Sequence, residues 1–162
     1  MKIICFHNPD EENGYLSNWF HSKFKIHNCV FTSIEQYMMY KKAECFKDAN
    51  IASKIMNTND VSQIKKFGRQ VDGYNETVWN GMRQLIVYDG LFAKFTQNEE
   101  LKIMLLQTEC SVLAECAVKD QIWGIGLSMK NPDRLDMSKW KGKNLLGFTL
   151  MMVRSKIISR DI

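Results

Sequence analysis

FTSIEQYMMYKKAECFKDA, residues 31–49, is a helical pattern with two charges on its apolar side. At 100° per residue, Glu35, Met39, Lys42 and Phe46 fall within an arc of about 60°. Met38, Ala43, Cys45 and Ala49 flank the arc; Gln36, Tyr37, Tyr40, Lys41, Glu44, Lys47 and Asp48 take the other side. The apolar face thus carries a carboxylate and an ammonium near its middle, where charges stay only with a partner or a task. Two turns, about 10 Å, separate them along the axis, so both can face one cleft. Two caps compete at the start of this helix. Thr32-x-x-Glu35 fits a capping box that would spend Glu35 on its own helix, whereas Ser33-x-x-Gln36 fits one residue later and releases it. Lys42 has a bland reading as well, because lysines on apolar stripes snorkel past their neighbours to water.

Around this helix, a chain of 162 residues is most simply one domain, 1–162, large enough to bury a real core. Ten methionines suit an adaptable apolar interior. A net charge of +4 permits an anionic substrate without demanding nucleic acid. No apolar run has the length of a membrane span, and MKIICFHNPDEENG turns polar too early for a signal peptide. Five cysteines, at 5, 29, 45, 110 and 116, are odd in number and form no CxxC pair, which suits reduced thiols in a cytoplasmic protein. His7, His21 and His27 lack metal-ligand spacing, so no metal and no cofactor is assigned.

Periodicity places the other elements. Lys2–Phe6 reads as a strand closed by the turn signals Asn8-Pro9 and Asn13-Gly14, and Phe24–Phe31 alternates as a second strand leading into the helix. Further helices are expected over Asp48–Met56, from an Asp60 cap to a Gly68 stop, from an Asn75 cap through Glu76 to about Gln97, and from Glu99 to Gln107. Ser111–Cys116 reads as a strand and 127–143 as an irregular loop. Asn144 offers a cap for a last helix, Leu145 to about Ile158, apolar nearly all round and so expected to be buried. The fold class is α+β, predominantly helical with a few short strands.

Four segments set polar groups among aromatics: Ser17-Asn18-Trp19, Glu35 with Lys42, Trp79 with Arg83 and Lys94 on one helical arc, and Asp120 with Trp123. Such a set suits a pocket for a planar anion, with indoles on a base, cations on phosphate and carboxylates near a sugar carbon. Each has an ordinary alternative: Trp79 as core, Arg83 and Lys94 as ion-pair members, Asp120 as a turn residue. Gly124 and Gly126 suggest a sharp bend or a close backbone approach. No P-loop, dinucleotide fingerprint, nucleophile elbow or zinc pattern is present.

The segments GYLSNWF, SIEQYMMYKKAECF, GLFAKFTQNEELKIMLLQT, DQIWGIGL and WKGKNLLGFTLMMVR resemble the YbiA-like, or NADAR, family, in its order and over nearly the whole chain. The resemblance implies the YbiA-like fold and an N-glycosidase. Members resemble the riboflavin-pathway enzyme that cleaves phosphoribosylamino-pyrimidine intermediates to release ribose 5-phosphate; others are associated with ADP-ribose, including its removal from modified guanine in nucleic acid. By position, Glu35 and Lys42 match the polar pair of E-Q-Y-M-M-Y-x-K-A. Asp120 and Trp123 match D-x-x-W-G, Asn144 matches W-x-G-x-N-x-L-G, and Ser17 and Asn18 match the N-terminal S-N. The loop from Ser128 to Asp136 is where this chain is expected to depart from relatives.

Breaking a C1'–N bond builds positive charge on the sugar while the leaving base needs a proton. Two routes stand at this level. Glu35 stabilises the cation or activates water while Asp120 or a water chain protonates the leaving group, or Lys42 attacks C1' of the opened sugar and forms a Schiff base. Arg83, with Arg69 or Lys94, would hold phosphate, and Trp79 or Trp123 would stack the base. The expected partner is a phosphoribosyl or ADP-ribosyl small molecule, with nucleic acid only as a modified-base substrate and no membrane. A binding module that holds such nucleotides without cleaving them is the alternative from another class.

Overall fold

The computed structural model describes residues 1–160. In chain order its elements are β1 (Ile3–Phe6), β2 (Phe24–Ile26), β3 (Cys29–Phe31), α1 (Ile34–Cys45), α2 (Ala49–Met56), α3 (Val61–Arg69), α4 (Glu76–Gln97), α5 (Glu99–Leu106), β4 (Val112–Glu115) and α6 (Leu145–Arg160). Short 3-10 turns lie at Gly14–Leu16, Pro132–Leu135 and Met137–Lys139. This is the α+β, helix-dominated class read from the sequence. None of the described helices is long and apolar enough to cross a membrane. The chain forms two compact units: Met1–Phe20 with the segment from Glu99 onward, and His21–Asn98.

In the first unit β1 pairs with β4 in parallel, from Ile3 opposite Val112 to Phe6 opposite Glu115. β4 is buried at Val112, Leu113 and Ala114, as a strand covered on both sides requires. α6 packs against it through the buried residues Leu146, Leu150, Val153 and Ile157. The buried Arg154 on α6 donates to Thr108 Oγ1 at 2.6 Å and to the Ser111 carbonyl at 2.9 Å, holding the turn that enters β4. The all-round apolar pattern of α6 does not bury the whole helix: Phe148, Met152 and Ile158 are exposed. One face suffices to cover a two-stranded sheet.

In the second unit α1 is the hub, packed on α2, α3 and α4. Ser33 caps it, its hydroxyl accepting from the Gln36 N–H at 3.1 Å. The Gln36 side chain accepts from Thr32 N–H at 2.8 Å and donates to the carbonyls of Ile55 and Thr58. The Ser33 cap of the second pattern is the one formed, and the Thr32 N–H is taken by Gln36. Where the sequence predicts one strand over 24–31, the chain makes a hairpin, β2 antiparallel to β3, turned at His27-Asn28 with His27 at φ 52°. Gly68 does not stop its helix, which runs to Arg69. A Cβ there would lie 1.9 Å from the Met39 sulfur, so the glycine lets α1 and α3 approach. Gly90 does the same within an unbroken α4, with Tyr37 2.6 Å from where its Cβ would be.

Candidate active site

On α1 the two charges of the opening stretch keep their shared face. Glu35 is 4% exposed, in the first turn. Lys42 is half-buried in the last turn and donates to the Gly68 carbonyl at 2.7 Å. Its Nζ lies 4.3 Å from the centre of the Tyr74 ring and 6.0 Å from that of Trp79, two aromatic faces that suit a cation. Burial draws the Lys42 ammonium below the usual lysine range, and the Glu35 carboxylate acts in the opposite direction. The two are therefore electrostatically linked across two turns of one helix.

α4 runs antiparallel to α1, since Gly90 meets Ile34 and Tyr37 while Trp79 meets Lys42. Trp79 is buried, and Arg83, one turn along the same face, is 8% exposed. The buried Nε of Arg83 has no hydrogen-bond partner. A guanidinium N–H shut away without an acceptor is costly, and an anionic ligand would satisfy it. Arg69 is exposed at the end of α3, one residue beyond the carbonyl that holds Lys42. Lys94 shares the helical arc of Trp79 and Arg83 but is completely buried, and burial pulls its ammonium down to about 7. It is placed as a core cation rather than as a hook for phosphate from solvent. The sequence reading missed Tyr74 and the Gly68 carbonyl: Tyr74 lies in a turn with no periodicity, and a backbone acceptor leaves no residue signature.

The remaining candidates belong to the first unit. Asp120 Oδ1 accepts from the N–H groups of Ile122 at 3.0 Å and Trp123 at 2.9 Å, and its carbonyl accepts from Gly124. This is the turn-building role of a short acidic side chain, and it orients the half-buried Trp123. The fully buried Asn144, at φ 50°, accepts from Glu115 N–H at 3.1 Å and donates to the Leu113 carbonyl at 2.8 Å. It behaves as an extra strand edge for β4 instead of a helix cap. The segments around Asp120 and Asn144 are knitted by backbone bonds: Lys141 to Ile125, Lys143 to Gln121, Asn144 to Gly124, Leu145 to Ile122 and Leu146 to Trp123. Gly142 makes this possible, because a Cβ there would sit 2.2 Å from the Gly124 oxygen. Ser17 is buried and accepts from Trp19 N–H at 3.2 Å, while the buried Oδ1 of Asn18 has no partner and suits an N–H donor from a ligand. Among the described residues no group of three His, Cys, Asp or Glu is placed to hold a metal ion.

The model of the NADAR domain family matches residues 5–158. An N-glycosidase of Acanthamoeba polyphaga mimivirus is 36% identical over 163 residues, 96% of this chain and 96% of its own. The N-glycosidase YbiA of Escherichia coli (strain K12) is 26% identical over 155 residues, 96% of this chain and 88% of its own. The NMR structure of E. coli YbiA matches with a TM-score of 0.81, covering 99% of this chain and 87% of that one. A riboflavin biosynthesis protein of Vibrio vulnificus (strain YJ016) is 29% identical over 154 residues, 95% of this chain and 38% of that longer protein.

Proposed function

Because the chain belongs to the NADAR domain family and is an N-glycosidase, we propose that it cleaves the C1'–N bond of phosphoribosylamino-pyrimidine intermediates of riboflavin biosynthesis and releases ribose 5-phosphate. The observation that carries this reading is Lys42: a lysine drawn toward its neutral form, held on a carbonyl between two aromatic rings, on the same helix face as a buried carboxylate. The riboflavin relative from Vibrio supports the choice of substrate.

The chemistry follows from the exocyclic nitrogen of such a substrate. The C1'–O4' bond opens, O4' takes a proton, and C1' becomes the carbon of an iminium to the pyrimidine amine. Lys42 Nζ, as a free amine, adds to C1'. The bond from C1' to the pyrimidine nitrogen breaks, that nitrogen leaves as an amine after taking a proton, and the sugar stays as an imine on Lys42. Water adds to this imine, restoring Lys42 and releasing open-chain ribose 5-phosphate. An ordinary lysine at pH 7 is unprotonated in only about one molecule in 10³, so lowering its affinity for the proton raises the reactive fraction directly. Glu35 opposes that lowering in the resting enzyme. In the reaction its negative charge stabilises the cationic iminium forms and it takes the proton of the attacking water. Arg83, with its unsatisfied N–H, holds the 5'-phosphate and Arg69 supports it from the end of α3.

The test is direct incubation with the phosphoribosylamino-pyrimidines and, separately, with ADP-ribosylated guanine nucleoside, assaying released sugar. Ribose 5-phosphate from the pyrimidines is expected. Release from ADP-ribosylated guanine alone would overturn the substrate, and release from neither, with nucleotide still bound, would overturn catalysis in favour of a binding module.

A further inference from the structure

We propose that Tyr74 is a positioning residue of the candidate active site, its ring face holding the positive charge at Lys42 Nζ, first as an ammonium and then as an iminium. This role rests on the imine route proposed for Lys42. The turn between α3 and α4 is built to hold the ring. Asp48 caps α2 with Oδ1 on the Ile51 N–H at 3.0 Å, and its Oδ2 accepts from the Asp72 N–H at 2.9 Å. Gly73 follows at φ 65°, its N–H donating to Asp72 Oδ1 at 2.9 Å. Asn75, the next residue, caps α4 by accepting from the Val78 N–H at 3.0 Å. Tyr74 is thus fixed from both sides, and its ring meets Phe46 edge-on with centroids 5.5 Å apart.

Lys42 Nζ lies 4.3 Å from the Tyr74 centroid and 6.0 Å from that of Trp79. The first is a close cation–π contact and the second is at the outer limit of one. Exposure separates the rings further, since Trp79 is 5% exposed and Tyr74 46%. Trp79 therefore belongs to the wall behind Lys42, whereas Tyr74 both touches Nζ and faces water, where a substrate arrives. The charge that acts on Lys42 is Glu35 on the same helix, two turns from it. Arg69 on α3 and Arg83 on α4 are cations and supply no countercharge, and the Asp48 carboxylate beside α2 is spent on Ile51 and Asp72. Direct contact at Nζ falls to the Tyr74 face and to the Gly68 carbonyl at 2.7 Å.

In the reaction Nζ bonds to C1' and the bond from C1' to the pyrimidine nitrogen breaks, leaving a protonated imine whose charge is shared by Nζ and C1'. Tyr74 forms no bond and moves no proton. Its face lies over the charge through both steps, and the negative face of an aromatic ring attracts a cation there. At rest the same contact favours the ammonium over the reactive amine. Loss of the ring therefore has two opposed effects: more free amine, but less stabilisation of the cationic steps.

The experiment compares the wild-type chain with Tyr74→Leu, which keeps an apolar cover over Nζ without a π face, and with Tyr74→Phe, which restores the face. Competitive acetylation with peptide mapping reads the protonation midpoint of Lys42 without substrate, and turnover of a phosphoribosylamino-pyrimidine is followed against pH. In Tyr74→Leu the midpoint should move to lower pH by about 0.5–1.5, while the high-pH plateau of kcat falls roughly three- to thirtyfold. Tyr74→Phe should recover both readings. A purely packing role would act the other way on the midpoint, because water admitted to Nζ raises it. A midpoint that stays or rises in Tyr74→Leu, an unchanged plateau, or a Tyr74→Phe variant as impaired as Tyr74→Leu would overturn the proposal. Failure of the imine route shows separately, as turnover persisting in Lys42→Ala, while acetylation still reads the hold of Tyr74 on Lys42.

Discussion

In the proposed reaction Glu35 and Lys42 divide one task, and their separation can be measured. Glu35→Gln keeps the size of the side chain but removes its charge, so turnover should fall by about 10²–10⁴ while the circular dichroism spectrum is unchanged. Near-normal turnover would remove Glu35 from the chemistry. The pH profile carries a signed expectation. Activity that needs the free amine of Lys42 should rise with pH and level off below the usual lysine value, because burial lowers this group. Glu35 holds Lys42 up, so its removal should move that midpoint to lower pH; an upward movement would contradict the link. At this scale spacing alone made legible the face that Glu35 and Lys42 share on α1 and the one that Trp79 and Arg83 share on α4. Spacing left Asp120 open between a turn residue and a site residue and offered Asn144 as a helix cap, because a side chain that binds backbone N–H groups has the same letters as one that binds a ligand. Resolving it took the paired distances from Asp120 to Ile122 and Trp123, and from Asn144 to Leu113 and Glu115.

Elements were legible where a cap and a period agree. α4 begins after Asn75, whose side chain accepts from Val78 N–H, and ends at Gln97, as the sequence predicts. They were misread where a residue has two uses. Gly68 carries the same letter as a helix stop, yet it serves close packing against α1, as Gly90 does within α4. His27-Asn28 turns a hairpin without the Asn-Gly signal that marks one. The knitted loop of the first unit yields two tests. Asn144→Ala leaves Leu113 C=O and Glu115 N–H unpaired inside the protein and should cost about 2–4 kcal/mol in urea unfolding, with part of the loss arising from the positive φ. A loss below ~0.5 kcal/mol would show that water replaces both bonds. Gly142→Ala has no room at 2.2 Å from the Gly124 oxygen. It should lower Tm by more than Gly81→Ala, where a Cβ meets nothing within 4 Å; equal Tm values would refute the packing role.

For the whole molecule, stability should depend on pH through Lys94. Its folded value of about 7 lies below the unfolded lysine value, so the unfolded chain binds more protons between the two. Stability from this group therefore rises with pH from about 7 to about 10.4. Lys94→Met should be more stable than wild type below pH 7, on the order of a few kcal/mol, with the advantage shrinking as pH climbs; a constant difference would mean that Lys94 does not titrate in the fold. The central claim concerns catalysis, and borohydride trapping during turnover tests it most directly. Sodium borohydride added with a phosphoribosylamino-pyrimidine should leave a reduced sugar adduct mapped by mass spectrometry to Lys42, and Lys42→Ala should lack both adduct and turnover. Turnover without any adduct, persisting in Lys42→Ala, would contradict the imine route and leave hydrolysis to a water activated by Glu35.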